Sequence, residues 1–204
     1  SRFFNCNTCT FPFGIGSVLD GQQYSYNGST VRNHEENYCE NLSIMDLKKI
    51  LPTDGPPVEE VLKYAEKYKN EIIVIKYGGN VFIDRKIFDN FIKDLSVLSK
   101  LGLQVVVVHG GGPRIKRELS KQNIDSKFIR GLRVTDEKII NVVETVLIDF
   151  NEDIVNSLKK IGSQAASLHT KKDNVIEIIP EKKELGFVGI PNKINTKTIF
   201  EKLK

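Results

Sequence analysis

Apolar residues recur along this chain with two different periods, and the alternation between them sets the expected architecture. Val61, Leu62 and Ala65 fall on one face with charges between them, which predicts an amphipathic helix over Val58–Lys69. Ile72–Ile75 is short, apolar and β-branched, as expected of a strand covered on both faces. Ile87, Phe88, Phe91, Leu95 and Leu98 then return to helical spacing, predicting a helix over Asp84–Leu101 that stops at Gly102. Leu103–Val108 reads as a second buried strand. Strand, helix and strand in that order form a βαβ unit, with parallel pairing and a right-handed crossover expected.

The pattern continues with a helix over Pro113–Gln122, its proline in the first turn, where the missing N–H does no harm. Phe128–Val134 is short and extended or a hairpin. Thr135 is positioned to cap a helix over Asp136–Phe150, whose core face is Ile139, Val143, Val146, Leu147 and Phe150. Asn151–Ile161 continues helically and closes at Gly162. Ala165–His169, Val175–Ile179 and Phe187–Ile190 are short strand candidates, and a last helix starts at Thr196. The fold class is α/β: an open, mostly parallel sheet flanked by helices, with the chain stopping before that architecture is complete.

Composition divides this picture at one point. The chain has 204 residues, 40% hydrophobic and 27% charged, which suits a folded domain with a substantial core. All three cysteines, Cys6, Cys9 and Cys39, precede residue 45, whereas the lysines begin at Lys48. The single methionine, Met45, stands at this seam and reads as the natural start. Residues 1–44 are accordingly expected to be a disordered or mistranslated leader outside the domain. Cys6, Cys9, His34 and Cys39 match zinc spacing only loosely, and no protein-held metal site is expected. Asn27-Gly-Ser29 and Asn41-Leu-Ser43 are read as accidental glycosylation matches. A net charge of +4 without a basic block does not suggest nucleic acid or a membrane surface as partner. No apolar run approaches the roughly 20 residues of a membrane span.

The chemistry concentrates where the two strands end. Val105–Val108 runs into His109-Gly110-Gly111-Gly112, and a helix begins immediately afterwards. Glycine loses more backbone entropy on ordering than any other residue, so such a run needs a reason. Backbone amides of a bare turn, aimed by a helix N-terminus, make an anion site. Ile72–Ile75 likewise runs into Lys76-Tyr77-Gly78-Gly79-Asn80, placing one ammonium beside paired glycines. Neither turn has the glycine-lysine-serine/threonine ending of a P-loop or the third glycine of a dinucleotide site. Each alone reads equally well as a tight strand-to-helix turn. Two on consecutive strands of one βαβ unit point to a shared phosphate.

The segments IVIKYGGN, VVVVHGGGPRI, GLRVTDEKIINVVETVL and ELGFVGI resemble, in order and spacing, the N-terminal half of the acetylglutamate kinases of the amino acid kinase family. The resemblance covers roughly residues 58–190. It implies a three-layer α/β/α kinase fold, truncated here. Residues 45–70 then correspond to an N-terminal helix extension of the arginine-inhibited, hexameric branch, and 71–204 to the substrate-binding part without the ATP-binding part.

The same resemblance implies transfer of a phosphoryl group from ATP, with Mg²⁺, to the side-chain carboxylate of N-acetyl-L-glutamate in arginine biosynthesis. The acting protein is expected to be a cytoplasmic homo-oligomer, dimer or hexamer. Lys76 takes the catalytic position that stabilises charge on the transferring group. Gly78 and Gly79 stand where amides meet phosphate. Gly111, Gly112 and Arg133 match the substrate-binding positions. His109 is expected to be structural, and Tyr77 to be packing. Ala166 or Ser167 stands where the family usually has a glycine, and FVGIP replaces an acidic continuation. Two alternatives accompany this reading: a non-catalytic, arginine-sensing kinase-like domain of an acetylglutamate synthase, and a kinase acting on acetylaminoadipate or another acidic amino acid.

Overall fold

A computed structural model describes residues 15–19, 44–78 and 84–203. Gly79, the leader's cysteines and His34, and both glycosylation matches lie outside the described residues. In chain order the elements are β1 (Ile15–Leu19), α1 (Ile44–Ile50), α2 (Val58–Lys67), β2 (Ile72–Tyr77), α3 (Arg85–Lys100), β3 (Gln104–His109), α4 (Gly112–Lys121), β4 (Phe128–Ile129) and β5 (Leu132–Arg133). Then follow α5 (Glu137–Lys160), β6 (Ala166–His169), α6 (Thr170–Asp173), β7 (Ile176–Pro180), a 3-10 turn (Lys183–Leu185), β8 (Gly189–Ile194) and α7 (Thr196–Lys202).

The central sheet has the order β2-β3-β1-β6. β2 and β3 pair in parallel from Ile72 opposite Gln104 to Tyr77 opposite His109, as a helix-linked βαβ unit requires. β1 runs antiparallel to both β3 and β6, so β2, β3 and β6 all point one way around it. β1 comes from the segment that the sequence pattern places outside the domain.

Strand periodicity distributes β3 between two layers. Val105 and Val107 are completely buried, and both pack with α3 residues Phe88, Ile92 and Leu95 and α5 residues Phe150, Ile154 and Leu158. Val106 faces the other way, into Leu168, Val175 and Leu203, with Ile176 and Ile199 beside them. Helices α3 and α5 therefore cover one face, and the β7 and α7 segments cover part of the other.

Three expectations are corrected. Ile72–Ile75 is not covered on both faces. Among the described strands β2 is the outermost, and Val74 is 57% exposed while Ile73 and Ile75 pack against α3. Thr135 is not the cap of α5. Its hydroxyl donates to the Arg133 carbonyl at 2.9 Å, and Asp136 accepts from the Ile139 N–H at 2.9 Å instead. The last strand begins at Gly189 rather than Phe187, because the Phe187 N–H donates to the Thr135 carbonyl at 2.7 Å. This tie holds Gly186 at φ +68°, where a Cβ would sit 2.2 Å from the Thr135 carbonyl oxygen. Only glycine fits there.

Candidate anion site at the ends of two parallel strands

The parallel register brings the two glycine turns side by side. Lys76 lies opposite Val108 and Tyr77 opposite His109, and the Gly110 N–H donates to the Tyr77 carbonyl at 3.2 Å. That bond extends the β2–β3 ladder one step beyond the strands and fixes Gly78 beside Gly110. Alternation then separates the side chains. Tyr77 stacks on Phe91 at 3.7 Å within the α3 layer, so Lys76 leaves the sheet on the opposite face, where it is exposed.

The glycines fall into two kinds. A Cβ on Gly111 would meet Leu147 Cδ2 at 2.7 Å, so close packing of α4 on α5 explains that glycine. At Gly78 and Gly112 a Cβ would meet nothing within 4 Å. The protein's own packing makes no demand for glycine at either place, which leaves open space directly before the turn. Gly111 caps α4, Pro113 sits in its first turn, and that turn carries no acidic residue. The positive end of the helix dipole is consequently not offset by a local carboxylate.

His109 follows the alternation of Val105 and Val107 into the α5 layer and is 3% exposed. Its ring meets Phe150 edge-on at 4.7 Å, and Arg114 lies 4.1 Å above the same Phe150 ring while its Nη1 bonds Asp153 at 2.6 Å. Burial is the main cause that lowers the His109 pKa from 6.5 to about 4, with the positive charge of Arg114 adding to it. The Gly110 backbone and the Asn151 side chain lie near enough to favour the protonated ring, yet neither reaches hydrogen-bond geometry. Neutral at ordinary pH, His109 cannot serve as the countercharge of a bound anion.

A stability prediction follows. Between pH 6.5 and about 4 the unfolded chain protonates this histidine and the folded chain does not. Its contribution is therefore complete above pH 6.5 and is lost as pH falls toward 4, by about 3 kcal/mol. Urea denaturation at stepped pH values should show this slope, and His109→Gln should flatten it.

Arg133 stands on a separate hairpin in which Phe128 pairs with Arg133. It is 4% exposed, so it is not a surface hairpin charge. Its guanidinium stacks on Phe128 at 4.7 Å, Nη1 donates to the Ser126 hydroxyl, and Nε has no hydrogen-bond partner among the described residues. Burial lowers its pKa below the usual arginine value. No hydrogen bond among the described residues links the Arg133 side chain to the glycine turns. Sequence reasoning missed Asn151, which is fully buried, and the layering of Arg114 on Phe150 behind His109. Asn151 left one readable sign, a polar residue within an apolar helical stripe.

These features define an α/β domain whose two parallel strands end in adjacent glycine turns. The family model described as the Amino acid kinase family matches residues 71–204, and the chain belongs to that family. Acetylglutamate kinase from Pelagibacter ubique (strain HTCC1062) is 51% identical over 159 residues, which cover 78% of this chain and 55% of that protein. Acetylglutamate kinase from Clostridium acetobutylicum is 40% identical over 157 residues, covering 72% and 53%. The chain thus spans about half the length of the curated relatives it matches. Among solved structures, smu.665 from Streptococcus mutans UA159 matches with a TM-score of 0.52 and 31% identity, over 65% of this chain and 54% of that one. An N-acetylglutamate synthase from Neisseria gonorrhoeae, complexed with coenzyme A and N-acetyl-glutamate, shares the fold. Its TM-score is 0.55 at 18% identity, over 70% of this chain and 34% of that one.

Proposed function

We propose that this chain forms the substrate-binding half of an acetylglutamate kinase, which transfers the γ-phosphoryl group of ATP to the side-chain carboxylate of N-acetyl-L-glutamate in arginine biosynthesis. The observation that carries this reading is the bond from Gly110 to Tyr77, which sets two open glycine turns and Lys76 at one end of the sheet. A carboxylate is already ionised near neutral pH and needs no base. Its oxygen forms the new bond to the γ-phosphorus while the bond from that phosphorus to the β–γ bridging oxygen breaks, and ADP leaves with the electron pair. Such a reaction asks the protein for positioning and charge stabilisation.

In this reading Lys76 stabilises the transferring group, and Gly78 and Gly79 offer amides to its oxygens. The backbone of Gly111 and Gly112 contacts the substrate, and Arg133 holds a substrate carboxylate through its planar fork. Among the described residues no group of three or more His, Cys, Asp or Glu side chains could hold a metal. Mg²⁺ would arrive on the nucleotide phosphates, where it neutralises charge. Assembly as a homo-oligomer, dimer or hexamer, and a cytoplasmic location accompany the proposal; no helix among the described residues is long and apolar enough to cross a membrane.

The fold likeness to an N-acetylglutamate synthase supports the rival reading, an arginine-sensing domain. A phosphate-directed lysine at the strand end argues against it, since a sensor has no use for one. The test is a chimaera in which residues 71–204 replace the matched half of the Pelagibacter enzyme. It should form hydroxylamine-trappable acyl phosphate from ATP and N-acetyl-L-glutamate, while the 204-residue chain alone should form none. A folded chimaera without turnover, or turnover by the chain alone, would contradict the proposal. N-acetyl-2-aminoadipate, one methylene longer, should be used about 10–200-fold less efficiently.

A further inference from the structure

Two strands as short as β4 and β5 do not hold a buried arginine in place by themselves. They pair over two residues each and, among the described residues, form a sheet of their own. A lone two-stranded hairpin is marginal in water. Phe128 and Ile129 on its first strand are exposed, so the hairpin is not sunk in the core. Arg133 is nevertheless buried, and Thr135, two residues on, is completely so.

Thr135 supplies the anchor. Its N–H donates to the Leu185 carbonyl at 2.9 Å, and its carbonyl accepts from the Phe187 N–H at 2.7 Å, a parallel bridge across Gly186. Its hydroxyl donates to the Arg133 carbonyl at 2.9 Å. All three hydrogen-bonding groups of one residue thus join the root of the hairpin to the 185–187 loop. That loop is closed on itself, because the Glu181 N–H donates to the Val188 carbonyl at 2.8 Å and the Leu185 N–H to the Lys182 carbonyl at 2.9 Å. Leu185 and Val188 are buried on either side of the grip, while Phe187 between them is exposed. Gly186, at φ 68° and ψ −127°, lets the two backbones meet, and a Cβ there would strike the Thr135 carbonyl.

We propose that Gly186 and Thr135 are positioning residues that clamp the root of the β4–β5 hairpin and so set the Arg133 guanidinium where it meets an acidic ligand. Neither touches the ligand, and both act through Arg133. The clamp is independent of the kinase reading; only the identity of the ligand as N-acetyl-L-glutamate rests on that reading.

The Nε–Hε signal of Arg133 in the ¹⁵N-labelled 204-residue chain, assigned by its loss in Arg133→Lys, reports the guanidinium's surroundings. Thr135→Val keeps the side-chain shape and both backbone bonds and removes only the hydroxyl. It should shift that signal, and Gly186→Ala should shift it further. Thr135→Ser, which keeps the hydroxyl, should return it to the parent position. In the chimaera, Thr135→Val should raise KM for N-acetyl-L-glutamate about 5–10-fold, on the scale of one net hydrogen bond, and leave kcat and KM for ATP within about twofold. Thr135→Ser should restore that KM. A merely structural role would lower the amount of active enzyme without this split. An Arg133 signal unmoved in Thr135→Val, or equal effects of Thr135→Val and Thr135→Ser, would overturn the proposal. The Thr135 pair decides the matter even if Gly186→Ala fails to fold. A signal that moves while neither Thr135→Val nor Arg133→Lys changes KM would leave the clamp standing and sink the substrate role of Arg133 alone.

Discussion

Lys76→Ala in the active chimaera is expected to lower kcat by about 10²–10³-fold, the loss typical of one transition-state donor. Lys76 sits on the outer strand, exposed, on the face away from the α3 and α5 core. Its truncation should therefore leave the melting temperature of the chimaera unchanged. KM for N-acetyl-L-glutamate should move little, because the ammonium is assigned to the transferring phosphoryl group and not to the acceptor. Lys76→Arg should rescue only in part, since a broad planar fork does not place a point charge where a compact ammonium does. Steady-state kinetics with both substrates varied decides the matter. An unchanged kcat removes Lys76 from the mechanism.

Phe150→Ala should be the most destabilising single core truncation near the site, by about 3–5 kcal/mol. Phe150 is completely buried in the layer between α3 and the sheet. It meets Phe88 at 6.5 Å and His109 at 4.7 Å, and carries the Arg114 guanidinium at 4.1 Å. Its removal leaves a cavity and deprives both the histidine and the arginine of the surface they lie on. Urea denaturation at pH 7 measures the cost. A loss within the ±0.5 kcal/mol of an ordinary surface substitution would mean the core is not organised around this ring.

The two predictions differ in how legible their residues were. Val105–Val108 and the glycines after it announce a strand and a turn through local chemistry alone, and parallel pairing follows from the helix between the strands. Lys76 could be singled out for the same reason. What could not be read was anything decided by remote neighbours. Val74 belongs to an apolar run, yet it is exposed because, among the described residues, no core cluster covers its side of β2, which lies opposite the α3 face. β1 carries no strong strand pattern in Ile15–Leu19; pairing with β3 and β6 on both sides makes it a strand. Thr135 is a good cap by type, but the Arg133 carbonyl takes its hydroxyl, and Asp136 takes the role. Arg133 could be singled out through the resemblance of its motif, while its burial on Phe128 depends on hairpin register.

At the centre of the account stands one claim: the turns after β2 and β3, together with the Lys76 ammonium, serve a single anion. Titration of the ¹⁵N-labelled 204-residue chain with N-acetyl-L-glutamate and, separately, with inorganic phosphate tests it most directly. The account predicts that the Gly78, Gly110 and Gly112 amides and the Lys76 side chain shift along one common saturation curve for phosphate, and that Gly112 and Arg133 do so for N-acetyl-L-glutamate. Shifts confined to one of the two turns, or separate curves for Gly78 and Gly112 with phosphate, would contradict it.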